Sequence, residues 1–253
     1  MDDLLTAGRM RLSPSGAHLT STDTDLGELF WVSSTTGRSP IRGGVPVIAP
    51  AFADLLADAP RHGWARTADW RVTTDGRVFD AEVVNEGIHL LLHVRELADG
   101  VHLALTARNE SREERTVQLG FHPYFRVSHV SRVHVEGLDG VEVLDRLSDA
   151  WHTQSGEVGV DGEFDRIFLA SREVRIVDSQ RVITMEAEGA DATVVWNPGE
   201  KAAAGMQDVG GGEWADFLCV EPALLGADLS GVVLAPTEQR RLAMTVRVSP
   251  SGS

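Results

Sequence analysis

Apolar and polar residues alternate with a period of two through much of this chain, and that rhythm restricts it to strands with one face buried and one face wet. Ile88, Leu90, Leu92 and Val94 share one face, and His89, Leu91, His93 and Arg95 the other. Val101, Leu103, Leu105 and Ala107 repeat the pattern against His102, Ala104, Thr106 and Arg108. So do Ile183, Met185 and Ala187 against Thr184, Glu186 and Glu188, and Leu242, Met244, Val246 and Val248 against Arg241, Ala243, Thr245 and Arg247. Turn signals punctuate these runs at Thr74-Asp75-Gly76, Ala98-Asp99-Gly100, Asp139-Gly140 and Glu188-Gly189. Short strands spaced by such turns predict an all-β fold, a large antiparallel sandwich or barrel. The best helical candidate is brief, Phe52 to Ala57 ahead of Pro60. No internal repeat and no Pro/Ser/Gly linker divides the sequence, so residues 1–253 are expected to form a single domain.

A chain of 253 residues with 42% hydrophobic content can bury a large core. No apolar run approaches the roughly 20 residues needed to span a bilayer. The N-terminus, Met1-Asp2-Asp3-Leu4-Leu5, is acidic where a secretory signal would be basic. One cysteine, Cys219, allows no internal disulfide and fits a reducing compartment. A cytoplasmic monomer is expected. The net charge of -15 argues against nucleic acid and anionic membrane as partners, since either would be repelled. For the same reason, an anionic ligand would need a local cluster of arginines.

Several residues invite a chemical reading. His89 and His93 have the i, i+4 spacing of zinc motifs, but on a strand that spacing separates them by roughly 13 Å, so a solvated face is expected and no metal. Gly210-Gly211-Gly212 lacks the strand-to-helix setting of a phosphate loop and reads as a surface loop. Cys219, inside Phe217-Leu218-Cys219-Val220, reads as a core thiol. In Val117 to Phe125, parity places His122 with Gln118 and Gly120, opposite Val117, Leu119 and Phe121. Gly120 leaves that face open beside the imidazole, and Pro123 breaks the ladder after it. Glu221 shares parity with Phe217 and Cys219, so a carboxylate closes an apolar strand just before Pro222; partial desolvation there would make it a stronger base. Pattern alone leaves a structural histidine and a solvated glutamate as alternatives. Arg42 precedes Gly43-Gly44, whose missing side chains let a ligand approach the backbone. Arg61-His62-Gly63-Trp64-Ala65-Arg66 gathers two arginines, a histidine and a tryptophan, suited to a phosphate fork and a sugar face, or simply to surface ion pairs.

Taken together these segments resemble the glucose-6-phosphate 1-epimerase (hexose-6-phosphate mutarotase) family, relatives of the galactose mutarotases. The resemblance rests on Gly16-Ala17-His18-Leu19, Ile41-Arg42-Gly43-Gly44-Val45-Pro46-Val47, His62-Gly63-Trp64-Ala65-Arg66 and His122-Pro123-Tyr124-Phe125-Arg126-Val127. It continues through Gly137-Leu138-Asp139-Gly140, Phe164-Asp165-Arg166-Ile167-Phe168, Val195-Trp196-Asn197-Pro198 and Cys219-Val220-Glu221-Pro222, in family order from about residue 16 to the end. It implies a β-supersandwich with a sugar site on one concave face. His122 and Glu221 match the catalytic positions, and Arg42, Arg66 and Asp165 match substrate-binding positions; Arg61 and His62 join them as candidate substrate contacts. Arg61 stands where members often carry Gln, Pro123 where Thr is usual, and Ala49-Pro50-Ala51-Phe52-Ala53 where Trp-Pro-x-Phe-Gly is common. These departures bear on substrate choice more than on reaction type.

The reaction so implied interconverts the α and β anomers of a hexose 6-phosphate by ring opening at C1, with Glu221 as base and a protonated His122 as acid. Nothing is oxidised or transferred, so no cofactor and no metal is expected. A 1-epimerase of unphosphorylated aldoses and a non-catalytic carbohydrate-binding domain remain the alternatives.

Overall fold

A computed structural model describes residues 4–37 and 40–252. The acidic opening Met1, Asp2 and Asp3 lies outside the described residues. Every strand pairing among the described residues is antiparallel. The alternating runs form the heart of a nine-stranded sheet. In it Arg181–Glu188, Gln239–Pro250, Gly100–Asn109, Ile88–Leu97, Val78–Asn85 and Arg71–Asp75 are successive neighbours. An eight-stranded sheet is built around Phe217–Leu224, flanked on one side by Ala192–Asn197 and Phe164–Phe168, and on the other by Leu119–Phe121 and Tyr124–Arg126. Smaller four- and two-stranded sheets complete the β structure. No helix among the described residues is long and apolar enough to cross a membrane.

The two large sheets share one continuous core. Leu90, Leu92, Val94, Leu103, Leu105, Leu242, Met244 and Val246 of the first pack with Leu119, Phe121, Phe125, Val195, Leu218 and Val220 of the second. Alternate residues of the second sheet face the other way: Phe217 and Cys219 cluster with Trp31, Tyr124 and Trp196 on its outer surface. Burying a Leu, Val or Phe side chain contributes about 1.5–3 kcal/mol. A slip of one residue would turn Leu218 and Val220 outward and drive Glu221 into the core, so packing fixes the parity on which the outer-face residues depend.

The structure departs from the sequence reading in three places. Phe52 to Ala57 forms turns instead of a helix: Ala53 has φ 47°, and the Leu55 amide donates back to the Phe52 carbonyl at 3.1 Å. The one α-helix among the described residues is instead Gly199–Ala203, a short turn after Pro198 in which Glu200, Lys201, Ala202 and Ala203 are good helix formers. Gly210-Gly211-Gly212 is a surface turn as expected, but it does open a short helix: the Glu213 carboxylate accepts from the Gly210 amide at 3.0 Å, and Gly212 leads into the 3-10 helix Glu213–Asp216. Finally, Glu221 does not close its strand, which runs on through Pro222 to Leu224.

Candidate active site

His122 and Glu221 meet on the outer face of the eight-stranded sheet. Pairing runs Gly120 to Ala223 on one side and Tyr124 to Cys219 on the other, a common register that sets His122 directly across from Glu221. Between Leu119–Phe121 and Tyr124–Arg126 the ladder is interrupted, and both Pro123 and Pro222 sit at that gap, where no ladder amide is needed. His122 Nε2 lies 3.3 Å from Glu221 Oε1, with the two side chains 11% and 2% exposed. Glu221 Oε2 and His122 Nδ1 are buried without hydrogen-bond partners among the described residues. The imidazole stacks on Tyr124 at 4.8 Å and meets Trp196 edge-on at 5.7 Å.

Burial holds both groups of the pair neutral. Loss of water, with Asp165 nearby, pushes the Glu221 carboxyl well above its usual range. Loss of water, with His62 and Arg42 nearby, pulls His122 well below 6.5. Burial thus favours the form in which the one proton of the pair sits on Glu221, because a desolvated imidazolium is costly beside arginines.

The cleft in front of this pair encloses about 270 Å³ and is lined by Arg42, Arg61, His62, Arg66, Arg146, Asp165 and Trp196 as well as Phe52 and Met206. That is just under the range of about 300–1,000 Å³ for drug-sized ligand sites and suits a single sugar ring. All seven candidate residues from the sequence therefore converge, and they bring a local cationic cluster to a protein of net charge -15.

His62 sits at φ 64°, a backbone strain for a non-glycine residue held by the loop it closes. Its amide donates to the Ala53 carbonyl at 2.8 Å, and its Nδ1 accepts from the Ala53 amide at 3.3 Å. Nδ1 is thus unprotonated and Nε2 carries the hydrogen. Burial and the surrounding arginines push its pKa down to about 3, so His62 offers a neutral donor across the working pH range.

Arg42 is already engaged. Its guanidinium contacts Asp208 Oδ2 at 2.9 and 2.8 Å and donates to the Tyr124 hydroxyl at 2.9 Å. Although burial works against its charge, Tyr124 and Asp208 hold its pKa above the ordinary value. Arg66 is the freer cation: among the described residues its Nη2 donates only to the Arg61 carbonyl, at 3.4 Å, and its Nε is buried without a partner. Burial first, and then Arg42, pull its pKa below the ordinary value. Asp165 accepts from Arg146 at 3.3 Å and is raised by burial.

Three local readings need revision. Gly43 and Gly44 do not open the backbone to a ligand; a Cβ there would lie 2.3 Å from the Trp31 carbonyl oxygen and 2.4 Å from that of Leu19, with both at positive φ, so they let the chain pack behind Arg42. Gly120 does not leave an open face, because the Phe52 ring occupies it. Gln118 holds that loop by accepting from the Phe52 amide at 2.9 Å. Trp64 is buried in the core, and the tryptophan of the cleft is Trp196. Sequence reasoning missed Arg146, Asp208 and the site role of Tyr124. Tyr124 and Trp196 lay inside quoted motifs, whereas Arg146 and Asp208 carry no pattern of their own.

His89 and His93 are separate, bonded to Glu110 at 3.0 Å and Asp80 at 2.8 Å, on a solvated face as expected. Two clusters among the described residues have metal-ligand character: half-buried His134 and Glu136 with exposed Glu157, and His122 with Cys219 and Glu221 at the site.

Residues 6–247 match the family model described as aldose 1-epimerase. A protein of Cenchrus ciliaris with the provisional name glucose-6-phosphate 1-epimerase is 30% identical over 267 positions, covering 93% of this chain and 80% of that protein. A Haemophilus influenzae protein with the same provisional name is 25% identical, covering 78% and 73%. The crystal structure of a protein from Salmonella typhimurium, provisionally a mutarotase, superposes with a TM-score of 0.83 at 24% identity over 99% of this chain and 92% of that one.

Proposed function

Because this chain belongs to the aldose 1-epimerase family, and is therefore an isomerase of sugar anomers, we propose that its substrate is a hexose 6-phosphate, glucose 6-phosphate first, and that His122 and Glu221 are its acid–base pair. The observation that carries the pair is the 3.3 Å contact of Nε2 and Oε1 on the floor of a sugar-sized cleft. The phosphate is supported by Arg66, a partly buried guanidinium that lines the cleft and has no acidic partner among the described residues, beside Arg61 and Arg42. The provisional names of the Cenchrus ciliaris and Haemophilus influenzae relatives point to the same substrate.

The chemistry follows from one proton held by two atoms. Glu221 passes its proton across the contact to His122 Nε2, an ion pair that a bound sugar can stabilise with the hydrogen bonds that water no longer supplies. The carboxylate then takes the proton of the C1 hydroxyl. The C1–O5 bond breaks with its electrons left on O5, and His122 delivers its proton there. The pair ends as it began, with Glu221 protonated and His122 neutral. Rotation about C1–C2 presents the other face of the aldehyde, and the reverse steps close the ring to the other anomer. Neither electrons nor groups leave the sugar, so the chemistry asks for no cofactor. In this reading His62 Nε2–H donates to one ring hydroxyl, Asp165 accepts from another, and Trp196 covers an apolar sugar face. We take the chain to act as one monomeric unit in the cytoplasm, a setting supported by its single buried thiol.

Proton NMR of freshly dissolved α-glucose 6-phosphate, beside glucose and galactose, tests the proposal. Faster equilibration of the phosphorylated sugar than of the plain sugars is expected. Acceleration of the plain sugars alone would retire the phosphate assignment and keep the epimerase.

A further inference from the structure

One edge of the Arg42 guanidinium is already taken by a carboxylate. Nε donates to Asp208 Oδ2 at 2.9 Å, Nη2 lies 2.8 Å from the same oxygen, and Nη1 donates to the Tyr124 hydroxyl at 2.9 Å. The Nε–Nη2 edge is one that can grip a phosphate with two parallel donors, and a carboxylate is the nearest side-chain equivalent of that ligand. The Asp208 side chain is 37% exposed, and among the described residues its carboxylate bonds to Arg42 alone.

Asp208 lies in the short connection between the helix Gly199–Ala203 and the 3-10 helix Glu213–Asp216. That connection is pinned on both sides of it. The Met206 amide donates to the Ala203 carbonyl at 2.9 Å, the Gly210 amide donates to the Glu213 carboxylate at 3.0 Å, and Val209 is buried in the cluster of Trp31, Tyr124 and Phe217. The carboxylate is thereby held at a recess of about 40 Å³ whose walls also include Arg42, Arg66, His122 and Tyr124. It sets a negative charge where the proposed substrate brings its own, and two anions facing one guanidinium repel each other more strongly as water is excluded. A sugar without a phosphate meets no such opposition.

We propose that Asp208 is a specificity-determining residue, a resident competitor for Arg42 that the phosphate of the substrate has to displace. This role deepens the hexose 6-phosphate reading and rests on it. A free phosphate ion has only its charge to set against Asp208. A hexose phosphate adds the contacts of its ring, so it takes Arg42 at concentrations where the bare ion leaves Asp208 in place. The repulsive element thus acts against small anions and leaves the sugar to decide which phosphate stays bound.

Calorimetric titration of the full-length protein with inorganic phosphate, at fixed ionic strength, reads this competition without relying on turnover. Asp208→Asn keeps an acceptor for Arg42 and removes the charge; Asp208→Ala is the second variant should the first fail to fold. Either should bind inorganic phosphate about 10-fold more tightly than the wild type, the effect of one nearby unit charge at a half-exposed site. KM for glucose 6-phosphate should fall in step. In an Arg42→Ala background the same change at position 208 should tighten phosphate much less, because the contested guanidinium is gone. Unchanged or weaker phosphate binding in the variants would overturn the proposal and make Asp208 a brace that readies Arg42 for the ligand. Equal tightening with and without Arg42 would overturn it as well, since simple repulsion would then suffice. If none of the proteins bound phosphate while plain sugars were still equilibrated faster, the hexose 6-phosphate reading itself would fall, an outcome distinct from the other two.

Discussion

Nε2 of His122 and Oε1 of Glu221 stand 3.3 Å apart across a gap in the ladder joining their strands, where prolines at 123 and 222 remove amides that the ladder does not need. The sheet supplies the distance, and burial removes the water that would otherwise let both groups ionise.

Arg66 should govern affinity for the phosphate. A hydrogen bond to a charged group contributes about 1.5–3 kcal/mol, so Arg66→Ala should raise KM for glucose 6-phosphate about 10–100-fold with little change in kcat. Handling of unphosphorylated glucose should not change. Steady-state kinetics on the two sugars at two salt concentrations would check this, since the wild-type advantage should shrink with ionic strength. Arg42→Ala is the less clean probe, because it also strands Asp208 and the Tyr124 hydroxyl.

Gly120→Ala should destabilise the fold. Its new Cβ would come within 2.7 Å of the Phe52 ring, and overpacking of this kind costs about 1–3 kcal/mol. Denaturant unfolding should show a lower midpoint, and the displaced Phe52 should disturb the cleft it lines. An unchanged midpoint would mean that Phe52 moves freely, contrary to its anchoring by Gln118.

Stability should fall as the solution turns mildly acidic. His18 is buried, its Nε2–H donating to the Gly43 carbonyl at 2.6 Å, and burial lowers its pKa from 6.5 to about 4. The unfolded chain therefore binds the proton first, so the contribution is present above pH 6.5 and is lost as pH falls from there toward about 4. Between those limits it amounts to something on the order of 3 kcal/mol. His62, lowered to about 3, extends the loss further down. Melting temperature against pH should drop through this window, and His18→Gln, which can donate to the same carbonyl without titrating, should flatten the drop.

The rate should depend on pH as a bell whose limbs belong to the pair and not to either residue. The active form holds one proton between His122 and Glu221. Because burial depresses His122, gain of a second proton should come below the ordinary histidine range; because burial raises Glu221, loss of the first should come above the ordinary carboxylate range. A profile of kcat/KM with an acid limb centred at an unshifted histidine value would contradict the burial argument.

Much of this was legible in the sequence, because it depends on parity. Alternation gave the faces of Ile88–Leu97 and Gly100–Asn109, and the same counting set His122 opposite Val117, Leu119 and Phe121 and put Glu221 with Phe217 and Cys219. What parity cannot give is termination and partnership. Pro222 reads as a strand end, yet the strand passes through it because the neighbouring ladder lapses at the same point. Phe52 to Ala57 has helical composition, but the contacts of Ala53 with His62 bend it into a loop. Arg146 and Asp208 matter only through Asp165 and Arg42, partners distant in sequence, and nothing local announces them.

The most direct test of the account is the turnover of His122→Asn and Glu221→Gln on α-glucose 6-phosphate, measured by NMR against the spontaneous rate. Proton transfer by a positioned side chain contributes about 10²–10⁴-fold, so each variant should lose kcat by that order while folding and binding sugar nearly as before. The double variant should lose less than the product of the two, because the groups share one proton and act in one step. If either single variant keeps near wild-type kcat, the pair is not the acid–base machinery, and the 3.3 Å contact is structural.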